Sequence, residues 1–494
     1  MFKNVTPESI GISSKYVKDF ILRLEKRKLH MHSVILCRGT NIFGEFYWSP
    51  FNRDFLHRMY SETKSYVSVA IGLLLDEGKL SLDDKIIDYF PEKIDTSPCE
   101  SIKNQTIRNM LMMSTVGYGE NWFGNSDKDR CHLYFNKRPN NVRYPGTIWE
   151  YDSQGSQILC ALVEKLAKKP LFDYLNEKIF SHLGTFKNAT ILKIPTGESW
   201  GDSALLCTSR DMLSFARFVM NLGEWNGKRL LSERYLREAT SNLIDNQETA
   251  FEDVIGHGYG YQIWRTEKNG FAFVGMGDQL TICLPDYDLI FVCTADNQGC
   301  GYSREILMSS FFDIIVENLE NAPLSENNEA FTDMQNATQG LSLFAIKGQE
   351  TSSWQDKING IKYVFSENEL GLKDLCFNFN GIGGELHYTN ENGEMVLPFL
   401  LNKNYFGKFP ELGYSQDIGN TRTLDGSKYD MATSGAWLCN NQIMIFSQII
   451  DRYFGNVSMR FGFNDDRITV TFYKTAEDFL WNYNGQAYGK MSKH

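Results

Sequence analysis

The sequence predicts an α+β domain followed by a β-rich domain. Helical periodicity is concentrated in the middle of the first 320 residues, strand-like runs lie at both ends of that stretch, and the chain beyond residue 340 reads as strands. A sheet completed by both ends of the domain, with helices packed on it, accounts for the first pattern. A length of 494 residues leaves room for two domains, and 42% hydrophobic against 22% charged residues suits a chain with a real core.

In chain order, residues 7–28 repeat apolar positions at three and four, as an amphipathic helix does. Residues 32–39 and 41–48 are strand-like runs joined at Gly39 and Thr40, a hairpin. Ser61 stands where an apolar helix begins; Val67, Ala70, Ile71, Leu74 and Leu75 give it a buried face, and Gly78 is its stop. Residues 101–113 are again amphipathic, whereas 114–147 carry glycines, prolines and many aromatics without a period and read as a long loop. Helical patterns return over 153–183 and 208–222. From Tyr259 the runs 259–266, 270–276, 279–285 and 289–296 read as an antiparallel meander, and 303–319 as a last helix. The expected division is a domain at 1–320, a polar linker at 321–340 and a β-rich domain at 341–494, a small sheet or barrel. In the last, Val457, Met459, Phe461 and Phe463 alternate, as do Ile468, Val470 and Phe472, around a turn from Asn464 to Arg467.

Charge and composition remove several function classes. A net charge of −11 gives little attraction for nucleic acid or anionic membrane. There is no run of eighteen apolar residues, and the N-terminal residues lack the apolar core of a signal peptide, so a cytoplasmic protein is expected. Ten scattered cysteines without a C-x-x-C pair read as free thiols of a reducing compartment, not as zinc ligands. No histidines pair at i, i+4, and neither metal nor cofactor is expected. The expected partner is a small ester, amide or peptide-like substrate; the oligomeric state is open.

Three short stretches carry chemistry. In Ser61-Glu62-Thr63-Lys64 the serine and lysine are three apart, on one face of a helix. At a helix start the dipole favours a developing oxyanion and disfavours an ammonium, which suits a serine nucleophile with a lysine base. The plain alternative is a helix cap beside a solvated lysine. In Tyr151-Asp152-Ser153, ahead of a buried helix, Tyr151 can share proton traffic and Ser153 can orient Lys64 or substrate; a tyrosine before a capped helix is the alternative. In the strand from Phe273 to Gln279, Gly275 allows a close approach, the N–H of Met276 can join that of Ser61 as an oxyanion hole, and Gln279 is a neighbouring substrate-binding candidate; a β-bulge is the alternative.

These stretches, in this order, resemble the serine β-lactamase and penicillin-binding-protein superfamily, in particular class C β-lactamases and the related serine hydrolases and esterases. The stretch around Ser61, TIRNMLMMSTVGY, YPGTIWEYDSQG and LLCTSRDMLSFARFVMNLGEWNGKRLLS carry the likeness, over roughly residues 7–318. It implies a β-lactamase/transpeptidase-like antiparallel sheet flanked by helices, with a helical subdomain. It also implies acylation of Ser61, with Lys64 as base and Tyr151 as the tyrosine of the second motif. Two positions depart from the family pattern: Ser153 stands where an asparagine is usual, and Phe273 where a lysine or histidine is usual. The lost cation points away from penicillins and cell-wall peptides and towards esters, amides or neutral acyl groups.

Three further features are weighed. Gly197-Glu198-Ser199-Trp200-Gly201 fits G-x-S-x-G, but Pro195 interrupts the strand before it and the next helix starts only near Ser209, so Ser199 is discounted as nucleophile. Tyr118, Trp122, Phe123, Tyr134, Phe135 and Tyr144 can roof an acyl pocket or form a satellite core, with Arg130, Arg138 and Arg143 beside them for an anionic group. His257 reads as a surface or packing residue.

Overall fold

The two ends of the first domain meet in one sheet. Its strands are β1 (Lys3–Asn4), β2 (Met31–Arg38), β3 (Asn41–Tyr47), β4 (Trp264–Arg265), β5 (Phe271–Gly275), β6 (Gln279–Leu284) and β7 (Leu289–Ala295), in the order β1-β3-β2-β7-β6-β5-β4. The computed structural model describes residues 2–95, 97–117, 119–123, 125–136, 143–247, 255–414, 424 and 426–492. The expected hairpin and meander join where β2 lies antiparallel to β7, with Val34 opposite Cys293 and Leu36 opposite Phe291. The fold is α+β, as expected.

Strand alternation gives the sheet two apolar faces. One carries Val34, Leu36, Ile282 and Phe291 against α1 (Ser14–Lys26) and the helix Ser303–Ser310 with its continuation to Val316. The other carries Ile35, Phe273, Ile290 and Val292 against the larger helical layer of α2 (Thr63–Asp76), α3 (Ser153–Ala167) and α4 (Ser209–Met220). Every residue of α2 from Thr63 to Leu74 is buried, so this helix runs through the middle of the domain.

Several expected elements are shorter than their periodicity suggests. The helix expected over 7–28 is a turn at Pro7–Ile10 and then α1, because Gly11 adopts φ 94° and Ser13 caps a new helix by accepting from the Lys15 N–H. The 259–266 run is a strand only at Trp264–Arg265, since Gln262 adopts φ 58°. The 114–147 loop contains a helix, Arg130–Asn136, and the expected linker contains another, Asn328–Thr338, opened by Asn327 as cap. Polar composition hid that second helix: its buried residue is Met334 alone.

The chain divides near residue 342 into two units. In the second, ten strands lie between Lys362 and Met491 among the described residues. Lys362–Phe365 pairs with both Asp374–Asn380 and the last strand, Gly485–Met491. Gly393–Leu401 meets Asp430–Cys439 in parallel through Leu400–Ser434 and Leu401–Gly435. Among the described residues these pairings close nine strands into a barrel, and Tyr405–Lys408 adds to one of them. The expected alternation is observed: Phe461 pairs with Val470, Phe463 with Ile468, and Asn464–Arg467 closes the hairpin.

Candidate active site

The approach to Ser61 is held by a strand from elsewhere. His57–Arg58 pairs with Leu205–Cys207, the Met59 N–H donates to the Leu205 carbonyl at 2.8 Å, and the Leu205 N–H donates to Thr63 Oγ1 at 3.1 Å. Between these clamps the chain turns sharply. Tyr60 adopts φ 46°, a left-handed conformation that costs a side-chain-bearing residue about 1–2 kcal/mol. A short 3₁₀ turn, Tyr60–Glu62, then leads into α2, so Ser61 is half-buried at the positive end of a buried helix.

Lys64 is buried, and its Nζ lies 2.8 Å from Ser61 Oγ and 2.6 Å from the Asp202 carbonyl. As an ammonium it donates to both. As a neutral amine it donates to Asp202 and keeps a lone pair for the Ser61 proton. Tyr151 arrives on the segment before α3, which is anchored by Asp152: its carboxylate accepts from the Gly155 N–H at 3.0 Å and from Thr115 Oγ1 at 2.7 Å. The Tyr151 ring stacks on Trp264 with centroids 5.7 Å apart and lies with its centroid 5.2 Å from Lys64 Nζ. Ser61, Lys64 and Tyr151 therefore meet at one place.

The end of β5 lies against the same turn. A Cβ on Gly275 would stand 2.2 Å from the Met59 carbonyl oxygen, so glycine alone permits this approach. Met276, the next residue, is 44% exposed. The turn after it is fastened through Asp278, whose carboxylate accepts from Asn297 Nδ2 at 3.0 Å and Arg304 Nε at 3.2 Å.

Gln279 and Ser153, the other expected binding residues, sit on either side of this turn and helix in different surroundings. Gln279 is wholly buried; its Nε2 donates to the Met276 and Ala295 carbonyls, both at 2.8 Å, and its Oε1 accepts from the Ala295 N–H at 3.2 Å. Its amide is saturated by backbone, because it sits opposite Gly275 in the ladder and fills the space that Gly275 leaves. It holds the turn. Ser153 opens α3, but the hydrogen-bond partners of Lys64 are Ser61 and Asp202. Phe273 is core: strand alternation turns it towards Phe215 of α4, with centroids 5.5 Å apart.

Part of the aromatic loop is core. Tyr134 and Phe135 are core residues, and the Tyr134 hydroxyl accepts from Gln105 Nε2 at 2.7 Å. Trp122 and Phe123 instead pack on Arg130, whose guanidinium lies 4.6 Å and 5.6 Å from their rings. Tyr144 is exposed, Arg143 pairs with Glu150, and Tyr118 and Arg138 lie outside the described residues. Ser199 is buried with its N–H directed at Glu164 and its carbonyl held by Gln157, which is not the geometry of a nucleophile elbow. His257 is exposed.

Sequence reasoning missed Asp202 and Trp200, which follow the discounted Ser199, and Arg58, which precedes the nucleophile turn. They come from separate segments, so no spacing signals them. Burial raises the Asp202 carboxyl above its ordinary range, while Lys64, Arg130 and Arg58 act in the opposite direction. Beside the nucleophile, Glu62 turns away from the site. Thr281 Oγ1 donates to its Oε1 at 3.0 Å, and burial pushes its pKa up to about 8. Among the described residues no three His, Cys, Asp or Glu side chains are grouped to hold a metal ion, and no helix is long and apolar enough to cross a membrane.

A sheet joined from both chain ends, with an S-x-x-K serine at the head of the helix beneath it, defines a protein of the β-lactamase fold. Residues 33–299, more than half the chain, match the model of the family described as Beta-lactamase, and the chain belongs to that family. It is similar to the 6-aminohexanoate-dimer hydrolase of Paenarthrobacter ureafaciens, 22% identical over 282 residues covering 52% of this chain and 70% of that protein. Among solved structures it is similar to EstCE1, a hydrolase with promiscuous acyltransferase activity (TM-score 0.50, 13% identity, 60% of this chain and 98% of that chain). A penicillin-binding protein homologue from Caulobacter crescentus is similar to the same degree (TM-score 0.50, 12% identity, 63% of this chain and 99% of that chain). At these identities the two structures show the fold.

Proposed function

We propose that this protein is a serine hydrolase that cleaves an ester or amide through an acyl-enzyme on Ser61. The observation that carries the reading is the 2.8 Å contact between Lys64 Nζ and Ser61 Oγ at the head of a buried helix, with the Tyr151 ring beside them. Ser61 Oγ adds to the substrate carbonyl carbon while its proton passes to the neutral amine of Lys64. The backbone N–H groups of Ser61 and Met276 receive the oxyanion. The carbon–oxygen or carbon–nitrogen bond to the leaving group then breaks, and the leaving group takes the proton by way of Lys64 and Tyr151. Water adds to the acyl-enzyme in the reverse sense, releasing the acid and restoring the Ser61 hydroxyl.

Esters and amides are favoured over penicillins because Phe273, at the place of the family's cation, is buried core and presents no charge to a substrate carboxylate. The hydrolase name of the Paenarthrobacter relative supports amide or ester cleavage. Ten unpaired cysteines support a cytosolic location. A fluorophosphonate probe followed by peptide mapping tests the reading: labelling at Ser61, lost in Ser61→Ala, is expected, and labelling at Ser199 or at no serine overturns it. Acyl transfer to an alcohol or amine uses the same acyl-enzyme, and the name of EstCE1 makes it the second reading. Product analysis with and without an acceptor alcohol separates the two.

A further inference from the structure

Three cations surround one buried carboxylate behind the nucleophile. Lys64 Nζ donates to the Asp202 carbonyl at 2.6 Å, and Arg130 Nη1 stands 3.6 Å from Asp202 Oδ1. Trp200 is approached by two guanidinium groups, Arg58 at 4.6 Å and Arg130 at 5.0 Å from its ring. Arg58 Nε also donates to the Ser203 carbonyl at 3.0 Å. Lys64, Arg58, Arg130 and Asp202 are each less than 5% exposed.

Cations held this far from water need a counter-charge. The Trp200 ring supplies a quadrupole, which is weaker than a full charge. The other acidic groups near Lys64 are engaged elsewhere. Glu62 faces Thr281, Asp152 is held by Thr115 and the Gly155 N–H, and Glu164 accepts from the Ser199 and Leu171 N–H groups. Tyr151 presents its ring to Lys64, and Ser61 its hydroxyl. The Asp202 carboxylate is the acidic group whose charged form Lys64, Arg130 and Arg58 all favour.

We propose that Asp202 is a positioning residue for the reaction. Its carbonyl fixes Lys64 Nζ against Ser61, and its carboxylate, held beside Arg130 and Arg58, sets the proton balance on Lys64. The proposal rests on the reading of Ser61 as nucleophile and Lys64 as base. It also explains how the site accommodates Ser153: Lys64 is anchored from the Asp202 side. Because Arg130 opens the helix Arg130–Asn136, the segment carrying the aromatic loop acts electrically on the base without touching it.

The sign of each effect follows from charge alone. Asp202→Asn keeps the backbone carbonyl but removes the negative charge, so the ammonium form of Lys64 loses stabilisation and the free amine persists to lower pH. Arg130→Met removes a positive charge and acts the other way. A single charge in such surroundings moves a titration by about one pH unit or more.

The test is the pH dependence of kcat/KM on a p-nitrophenyl ester for the full chain, with melting curves to establish folding and fluorophosphonate labelling to report Ser61. The acid limb is expected to move down by about one unit in Asp202→Asn, up in Arg130→Met, and back towards the parent in the double variant. If both single variants fold and their limbs coincide with the parent or move in the same direction, the proposal is overturned. Should Asp202→Asn fail to fold, Arg130→Met decides: an upward shift supports the proposal and an unmoved limb ends it. A parent labelled at Ser61 with unmoved limbs overturns this proposal alone. A parent not labelled at Ser61 overturns the underlying reading and this proposal with it.

Discussion

Eight residues, His57 to Lys64, carry two opposite solutions to burying ionisable groups. At Lys64 and Arg58 the basic group is met by polar partners: the Ser61 hydroxyl, the Asp202 and Ser203 carbonyls and the Trp200 ring stand around them. At His57 and Glu62 the charge is given up. His57 Nδ1 can only donate to the Arg58 carbonyl, 3.0 Å away, so its Nε2 is bare and accepts from His32 Nδ1 at 2.8 Å. Burial then holds His57 down to about 3 and His32 well below the usual imidazole range, while Glu62 is pushed up to about 8. The difference teaches that a buried ionisable group keeps polar partners around it in one place and packs in its neutral form in the other.

The sharpest way to break this comparison is to remove the Lys64 amine that stands beside Ser61. Lys64→Met is expected to lower kcat on a p-nitrophenyl ester by about 10²–10⁴-fold, the range of a lost general base, with the fold preserved. A variant as active as the parent would place the base elsewhere.

The neutral pair should show instead in stability. The unfolded chain protonates its histidines near the ordinary pKa of 6.5, whereas native His57 resists until about 3. The stabilisation is therefore fully present above pH 6.5 and is lost as pH falls towards 3, by about 5 kcal/mol for His57. Denaturant unfolding between pH 8 and 5 should fall less steeply in His57→Gln than in the parent; parallel curves would refute the neutral assignment.

Glu62 runs the other way. Its folded pKa is raised, so the stabilisation is complete below about pH 4.5 and is lost as pH rises through about 8. Glu62→Gln should gain about 5 kcal/mol over the parent at pH 9 and little at pH 5. An equal effect at both pH values would mean that the Glu62 carboxyl is not held neutral.

At the surface neither solution is needed. Arg234 pairs with Glu238 while 90% exposed, and Arg234→Ala should change stability by less than about 0.5 kcal/mol. A larger loss in thermal unfolding would show that burial is not what separates the two groups.

The α+β class, the hairpin, the meander and the Asn464–Arg467 turn were legible because period-two and helical periods are local consequences of backbone geometry. The helix Asn328–Thr338 was not, since a helix that buries little besides Met334 leaves no apolar stripe to read. In the site, Ser61 and Lys64 were legible because three residues on one helix fix their own neighbourhood. The surroundings of Gln279 were not legible for the converse reason. Whether an amide faces solvent or its own turn depends on the empty space above Gly275, which is a property of two strands.

By itself the sequence determined that Ser61 and Lys64 stand together, because a helical turn brings i and i+3 onto one face whatever surrounds them. The tertiary structure alone decided what stands behind the base. Arg58, Arg130 and the pair Trp200 and Asp202 lie on three separate segments, and their meeting follows from how the helices pack against the sheet. Electrostatic compensation depends on distances through space, which no spacing along the chain records.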